Sequence, residues 1–423
     1  MVVEHWEPWP IDQPTHGGPV GYKHLQDAFN QAKPGGYTVQ TITPPSPTNG
    51  TFATALKTAI ASGSSPDTFQ QNLNEVALYA GQKATLALDS YMATDKFDLN
   101  QLFPFSVFQM KWDGKVYAMM QHTDINIMWY NTDLLRQTGL DPSNLPKTWD
   151  DLEQMALKGI KKNGPDMVQI GFDPTRGNGT PSWLQANGVK ILSDDGRKAT
   201  FDGAQAIETL EWLKKIYNQV DGGKAAVDAF QKNSSSKVSG SSFGAYENGK
   251  ALSLNNGNWE ADAIRRANKQ LPLAVASLPS GPSGPKDSSH NVFMGGIFCA
   301  LSATGKHRDG GWKYLQFIGG PIGGTAVETD TADVSGNIEA SKNPTILNDP
   351  NSGFGRKDTQ PLFPLAGGTR DIQSAVGPDV QYSALENAVS QVLQNKTDTA
   401  TALGEAVKVA NAALDKYYNN LSK

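Results

Sequence analysis

The chain has 423 residues, 38% of them apolar, with 42 glycines and one cysteine. One hydrophobic core usually serves no more than about 250–300 residues, so two lobes are expected. A formal net charge of −5 with no long basic run excludes an electrostatic footprint for nucleic acid or an anionic membrane, and the lone cysteine excludes an intrachain disulfide or a zinc site built on cysteine pairs.

The first 120 residues alternate strand and helix signals. Val2–Trp6 reads as a strand and Tyr22–Asn30 as a helix, with Leu25 and Phe29 on one face. Tyr37–Ile42 is a second strand. Phe52, Leu56, Ala59 and Ile60 form the next helical face, and Asp67–Phe69 a third strand after the Gly63–Pro66 turn. That order predicts a largely parallel sheet covered by helices. Thr148-Trp149-Asp150-Asp151 has the form of a capping box, opening a helix that buries Leu152, Met155 and Ala156. Ile207, Leu210, Leu213 and Tyr217 mark another amphipathic helix. Two more close the chain, with Leu385, Ala388, Val389 and Val392 on one and Leu403, Val407, Ala410 and Leu414 on the other. Gln231–Ser242 and Pro279–Ser289 read as surface loops. No run approaches the ~18–20 apolar residues of a spanning helix. Met1 leads straight into the first strand, so the protein is either cytosolic or lacks a removed targeting segment.

Catalytic signatures fail on context. Gly240–Gly244 matches G-x-S-x-G but follows a polar loop where a nucleophile elbow needs a strand. Gly244–Lys250 has phosphate-loop spacing, but Ala251 stands where a hydroxyl would hold Mg²⁺. The six histidines form no short ligand spacing, and Cys299 in an apolar run reads as core. Asp150-Asp151 and Asp194-Asp195 fall at helix-start and turn signals. No catalytic residue, metal or cofactor is expected, although carboxylates distant in sequence still leave a glycoside hydrolase open.

Tryptophans at segment edges invite a binding reading. Trp6 and Trp9 follow the first strand, Trp183 follows the Gly/Asn/Thr loop of residues 177–182, and Trp259 ends Asn255-Asn256-Gly257-Asn258. An indole beside amides and hydroxyls suits a sugar, whose C–H face lies on a ring while its hydroxyls need hydrogen-bond partners. Trp149, Trp212 and Trp312 lie inside periodic stripes and read as core.

The order of segments resembles the family 1 extracellular solute-binding proteins of ABC importers, the maltose-binding-protein-like group. The resemblance runs through Ala59–Phe69, Asp113–Ala118, Trp129–Leu135, Gly139–Pro142, Pro146–Leu152, Phe243–Trp259, Gly295-Gly296 and Trp312–Ile318, motifs in order over nearly the whole chain. It implies an α/β, two-lobed periplasmic-binding-protein-like fold. Each lobe would be a mostly parallel sheet flanked by helices, joined by hinge strands, with ligand in the cleft and closure on binding. The expected N-lobe is 1–120 plus 292–350 and the C-lobe 121–291 plus 351–423, with crossings near Met120, Asn291 and Pro350. By position, Trp259 and Tyr382 match sugar-stacking aromatics, Asp124 a carboxylate past the hinge, and Gln71 and Asn74 a pair of N-lobe contacts. Asn178 and Thr180 lie in a loop that replaces an acid-plus-aromatic contact, which argues against maltose itself. Asn258 and Gly295 fall in matched motifs. Trp6, Trp9, Trp183 and His122 come from sequence context. The implied partners are a carbohydrate, expected to be an oligosaccharide, and the permease subunits of an ABC importer. The implied setting is extracytoplasmic, periplasmic or lipid-tethered, as a monomer without nucleic acid. A same-fold receptor for a non-sugar solute is the alternative.

Overall fold

The computed structural model describes residues 1–11, 21–44, 51–177, 179–220, 223–235, 244–268, 271–288, 291–329, 333–344 and 378–421. The chain divides into two compact units, the first holding Met1–Asp124 and the described residues from Gly295 to 344, the second Ile125–Met294 and the described residues from 378. The division falls inside two strands, Met119–Asn131 and Phe293–Leu301. The third expected crossing, near Pro350, lies outside the described residues.

In the first unit, Val2–Trp6 is flanked by two parallel neighbours, Thr38–Ile42 with Val2 opposite Thr38, and Thr68–Asn72 with His5 opposite Thr68. Phe293–Leu301 runs antiparallel to Thr68–Asn72, Cys299 facing Gln70, and the start of Met119–Asn131 comes next in the sheet. The third strand thus begins at Thr68, one residue after the expected Asp67. The Asp67 carboxylate instead accepts from Glu4 N (3.0 Å) and His307 N (2.7 Å), tying two segments to the sheet. Helix Gly21–Ala32 buries Leu25 and Phe29 as its spacing predicts, and Phe29 meets Tyr314 of helix Arg308–Ile318 edge to face. That helix lies close on the sheet because Gly310 has no side chain: a Cβ there would stand 2.6 Å from Tyr37. Leu56, Phe69, Tyr79, Ala84 and Ala300 form a buried cluster on which Trp6 and Phe52 pack.

In the second unit the strand residues up to Asn131 pair with Ser253–Gly257 and Leu273–Ala276, both antiparallel. Parallel pairing there is confined, among the described residues, to the single bridges Thr148–Ser280 and Ile170–Ala251. The parallel part of the sheet is therefore in the first unit, because the crossing strand enters the second as its central strand and its neighbours return against it. The hairpin Lys161–Asn163/Asp166–Gln169 carries no apolar alternation, and its signal is absent from the sequence reading. Helix Trp149–Lys158 opens on the expected capping box: Thr148 Oγ1 accepts from Asp151 N at 3.2 Å, and Asp151 Oδ2 from Thr148 N at 3.0 Å. Helices Pro378–Leu393 and Thr399–Leu421 pack on each other and on Ala204–Asn218. Their stripes Leu385, Ala388, Val389, Val392, Leu403, Ala410 and Leu414 are buried. Among the described residues no helix is long and apolar enough to cross a membrane.

Candidate ligand-binding site

Open α/β sheets take ligands beyond the carboxyl ends of their strands. In the first unit those ends carry Glu7, just after Val2–Trp6, and Gln71 on Thr68–Asn72. Gln71 is buried with neither side-chain Oε1 nor Nε2 hydrogen-bonded, an unmet demand of the kind a ligand hydroxyl meets. Trp6 is half-buried and donates its Nε1–H to Glu4 Oε1 at 2.7 Å; Trp9 is also half-buried. Asn74 lies in helix Leu73–Gly81, and its side chain is outside the described residues.

His122 and Asp124 stand on one face of the Met119–Asn131 strand, being two residues apart. His122 Nε2 lies 3.6 Å from Asp124 Oδ1 and 3.7 Å from Asp333 Oδ2, and its Nδ1 is 3.5 Å from the Tyr22 hydroxyl. His122 and Asp333 are buried, whereas the Asp124 side chain keeps 19% of its surface. Burial lowers the His122 pKa against the pull of Asp124 and Glu7, so the ring is mostly neutral near pH 7. Burial pushes the Asp124 carboxyl up to about 7, with His122 opposing and Asp333 reinforcing. The cluster thus has donors and acceptors whose balance shifts near neutrality. Gly295 is buried beside it, its carbonyl 3.4 Å from the Thr123 hydroxyl that donates to it.

In the second unit Trp259 follows Ser253–Gly257 and is half-buried. Its indole lies on Gly257: an added Cβ there would be 2.0 Å from the ring. Asn255 shares the strand face of Gly257 and is fully buried with neither amide atom hydrogen-bonded. Asn258 is buried and acts in the framework, its Oδ1 accepting from Ile125 N at 2.7 Å. Thr180 is buried in the first turn of helix Gly179–Ala186. Asn178 lies outside the described residues, as does the side chain of Tyr382 on helix Pro378–Leu393.

Trp183 departs from its expected exposure. It is fully buried, donates Nε1–H to Pro174 O at 2.9 Å, and packs on Trp212 at 5.2 Å, which in turn stacks on Trp149 at 4.0 Å. A helix begins before it, so a position that reads as a loop edge becomes a core position. Sequence reasoning missed Glu7, Tyr22, Asp333 and Asn255. Glu7 carried a signal, two residues beyond His5 at the end of a strand; Asp333 carried none, since it meets His122 only through the fold.

These features define a two-lobed α/β binding protein, with polar groups gathered at strand ends and an aromatic ring beside an unpaired amide. The chain belongs to the bacterial extracellular solute-binding protein family, whose model matches residues 15–325. It is 24% identical over 396 residues to a Deinococcus radiodurans protein named “Probable ABC transporter-binding protein”, covering 90% of this chain and 87% of that one. The multiple sugar-binding protein of Streptococcus mutans is 23% identical over 272 residues, 63% of this chain and 61% of that protein. Among solved structures, CpMnBP1 with mannobiose bound matches with a TM-score of 0.78 at 22% identity, over 97% of this chain and 99% of that one. The ABC substrate-binding protein of Listeria monocytogenes in complex with cycloalternan matches with a TM-score of 0.73 at 19% identity, over 98% and 99%. At these identities the structural likeness establishes the fold.

Proposed function

We propose that the protein is an extracytoplasmic receptor that binds a carbohydrate, an oligosaccharide by preference, and delivers it to the permease of an ABC importer without chemical turnover. The observation that carries the reading is the half-open Trp259 indole on Gly257, beside the unpaired amide of Asn255. A pyranose ring loses water from its C–H face on such an indole, and its hydroxyls can meet amide groups that otherwise stay unpaired. Gln71 and Asp124 offer the same chemistry in the first unit. The names of the relatives support a saccharide, and the substitutions in the Asn178–Ser182 loop favour one other than maltose. Absence of turnover is supported by the family, described as solute-binding, and by relatives named as binding proteins.

A thermal-shift screen against mono- and oligosaccharides, polyols and amino acids tests this. A saccharide at 100 times its dissociation constant adds about 2.7 kcal/mol of stability. A shift with polyols or amino acids but with no saccharide defeats the assignment. Chromatography of the bound sugar after prolonged incubation should return it unchanged; product that scales with protein concentration and survives repurification would make the protein an enzyme.

A further inference from the structure

The helix-covered face of the first unit's sheet brings three metal-ligand side chains together. His5 and Glu7 are two residues apart and share that face. Thr68 is in register with His5, and Gln70, two residues further on, is in register with Cys299, which places all of them on the same side. One ligand atom from each of His5, Glu7 and Cys299 lies within 4.8 Å of the other two. None of the three is more than 1% exposed. Glu7 Oε1 is held by His5 Nε2 and by the Gln121 amide, each at 2.9 Å. Glu7 Oε2 is buried in the same cluster with no hydrogen-bond partner, a costly state for a carboxylate oxygen. On the far side of the ring, His5 Nδ1 is 2.9 Å from Thr68 Oγ1, the outer hydrogen bond that orients a metal-binding imidazole.

We propose that His5, Glu7 and Cys299 form a zinc site that clamps the end of the first strand to the Phe293–Leu301 strand. One nitrogen, one carboxylate oxygen and one sulfur suit Zn²⁺, whereas Mg²⁺ and Ca²⁺ take oxygen sets. On binding, His5 adopts the Nδ1–H tautomer, donating to Thr68 Oγ1, and offers Nε2 to the metal. The Cys299 thiol, neutral without metal because burial and Glu7 disfavour the thiolate, gives its proton to solvent and binds as thiolate. No electron is transferred. The unpaired Glu7 oxygen gains a cation, and two strands separated by Thr68–Asn72 become joined directly. This site is independent of the carbohydrate reading.

The test uses the full chain stripped of metal with a chelator, then titrated with Zn²⁺ by calorimetry and with Co²⁺ by absorption. The expected result is one equivalent bound, a thiolate-to-cobalt band in the near ultraviolet, and a higher Tm with Zn²⁺. Cys299→Ala, a small substitution in a strand, should fold by circular dichroism, lose the band and bind Zn²⁺ far more weakly. Thr68→Ala should keep the band and weaken binding roughly 10- to 100-fold. No saturable binding, or a cobalt spectrum that Cys299→Ala leaves unchanged, overturns the proposal.

Discussion

A single methyl group at Gly257 would test whether the Trp259 ring is where a sugar stacks. An ideal Cβ at Gly257 stands 2.0 Å from Cζ3 of the indole and 2.2 Å from Cε3 and Cη2, and these are its three nearest atoms. Carbon atoms rest about 3.5–4.0 Å apart, so the ring must withdraw by roughly 1.5 Å. Gly257 is not among the glycines with positive φ, so its strand backbone accepts alanine and the closest conflict is with the ring. Overpacking of this kind costs about 1–3 kcal/mol. An anchor ring moved that far loses much of its contact with a stacked pyranose. Its outright removal in Trp259→Ala costs at least about 2 kcal/mol of binding, or roughly 30-fold. Gly257→Ala should therefore weaken saccharide binding about tenfold or more, approaching the truncation. Because the methyl acts through the ring, adding it to Trp259→Ala should cost nothing further, a coupling on the order of 1–2 kcal/mol. Calorimetric titration of the two single variants and the double variant, with melting curves alongside, measures the cycle. If Gly257→Ala lowers Tm but binds saccharide as the unaltered protein does, the ring is packing and not a contact. If the two changes add, the methyl acts elsewhere.

Asp124 has its carboxyl pKa raised from 3.8 to about 7, so between those pH values the folded chain holds a proton that the unfolded chain has lost. Stability contributed by this group falls as pH rises through that window, and Asp124→Asn should raise Tm little at pH 4 and most above pH 7. Melting curves across that range check the sign. Thr148→Ala removes the cap of helix Trp149–Lys158 and should cost about 0.5–2 kcal/mol of stability in denaturant titrations, with saccharide affinity unchanged. Trp183→Ala empties the space beside Trp212, which itself stacks on Trp149, and should cost about 3–5 kcal/mol. Its affinity should stay near that of the unaltered protein wherever it remains folded, and a selective loss of binding would return Trp183 to the site.

What could be read in advance follows the range of the physics involved. Helix Trp149–Lys158 was legible because a cap is local: Thr148 and Asp151 meet within one turn. The stripes at Leu385–Val392 and Leu403–Leu414 were legible because helical periodicity needs no partner to be visible. The first two strands were legible from apolar runs, but not the register that sets His5 opposite Thr68 and Gln70 opposite Cys299, since register is fixed by pairing across distant segments. The same limit applies to the site. Asp124 was identified through resemblance, yet its Asp333 neighbour is 209 positions away and only the fold joins them through His122. Trp183 misled because a Gly/Asn/Thr stretch looks like a loop, whereas the ring packs against Trp212 of another helix and against Phe172.

The antiparallel pairing of Phe293–Leu301 with Thr68–Asn72 also bears on how the chain is made. The first unit takes its fourth strand from a segment more than 220 positions after the third, so a growing chain shorter than the 301 residues to Leu301 cannot complete that sheet. Until then Thr68–Asn72 has an unpaired edge, and closing so long a loop is slow. The first sheet therefore closes only through a contact between segments more than 220 positions apart, which makes its completion the slow, long-range step of folding.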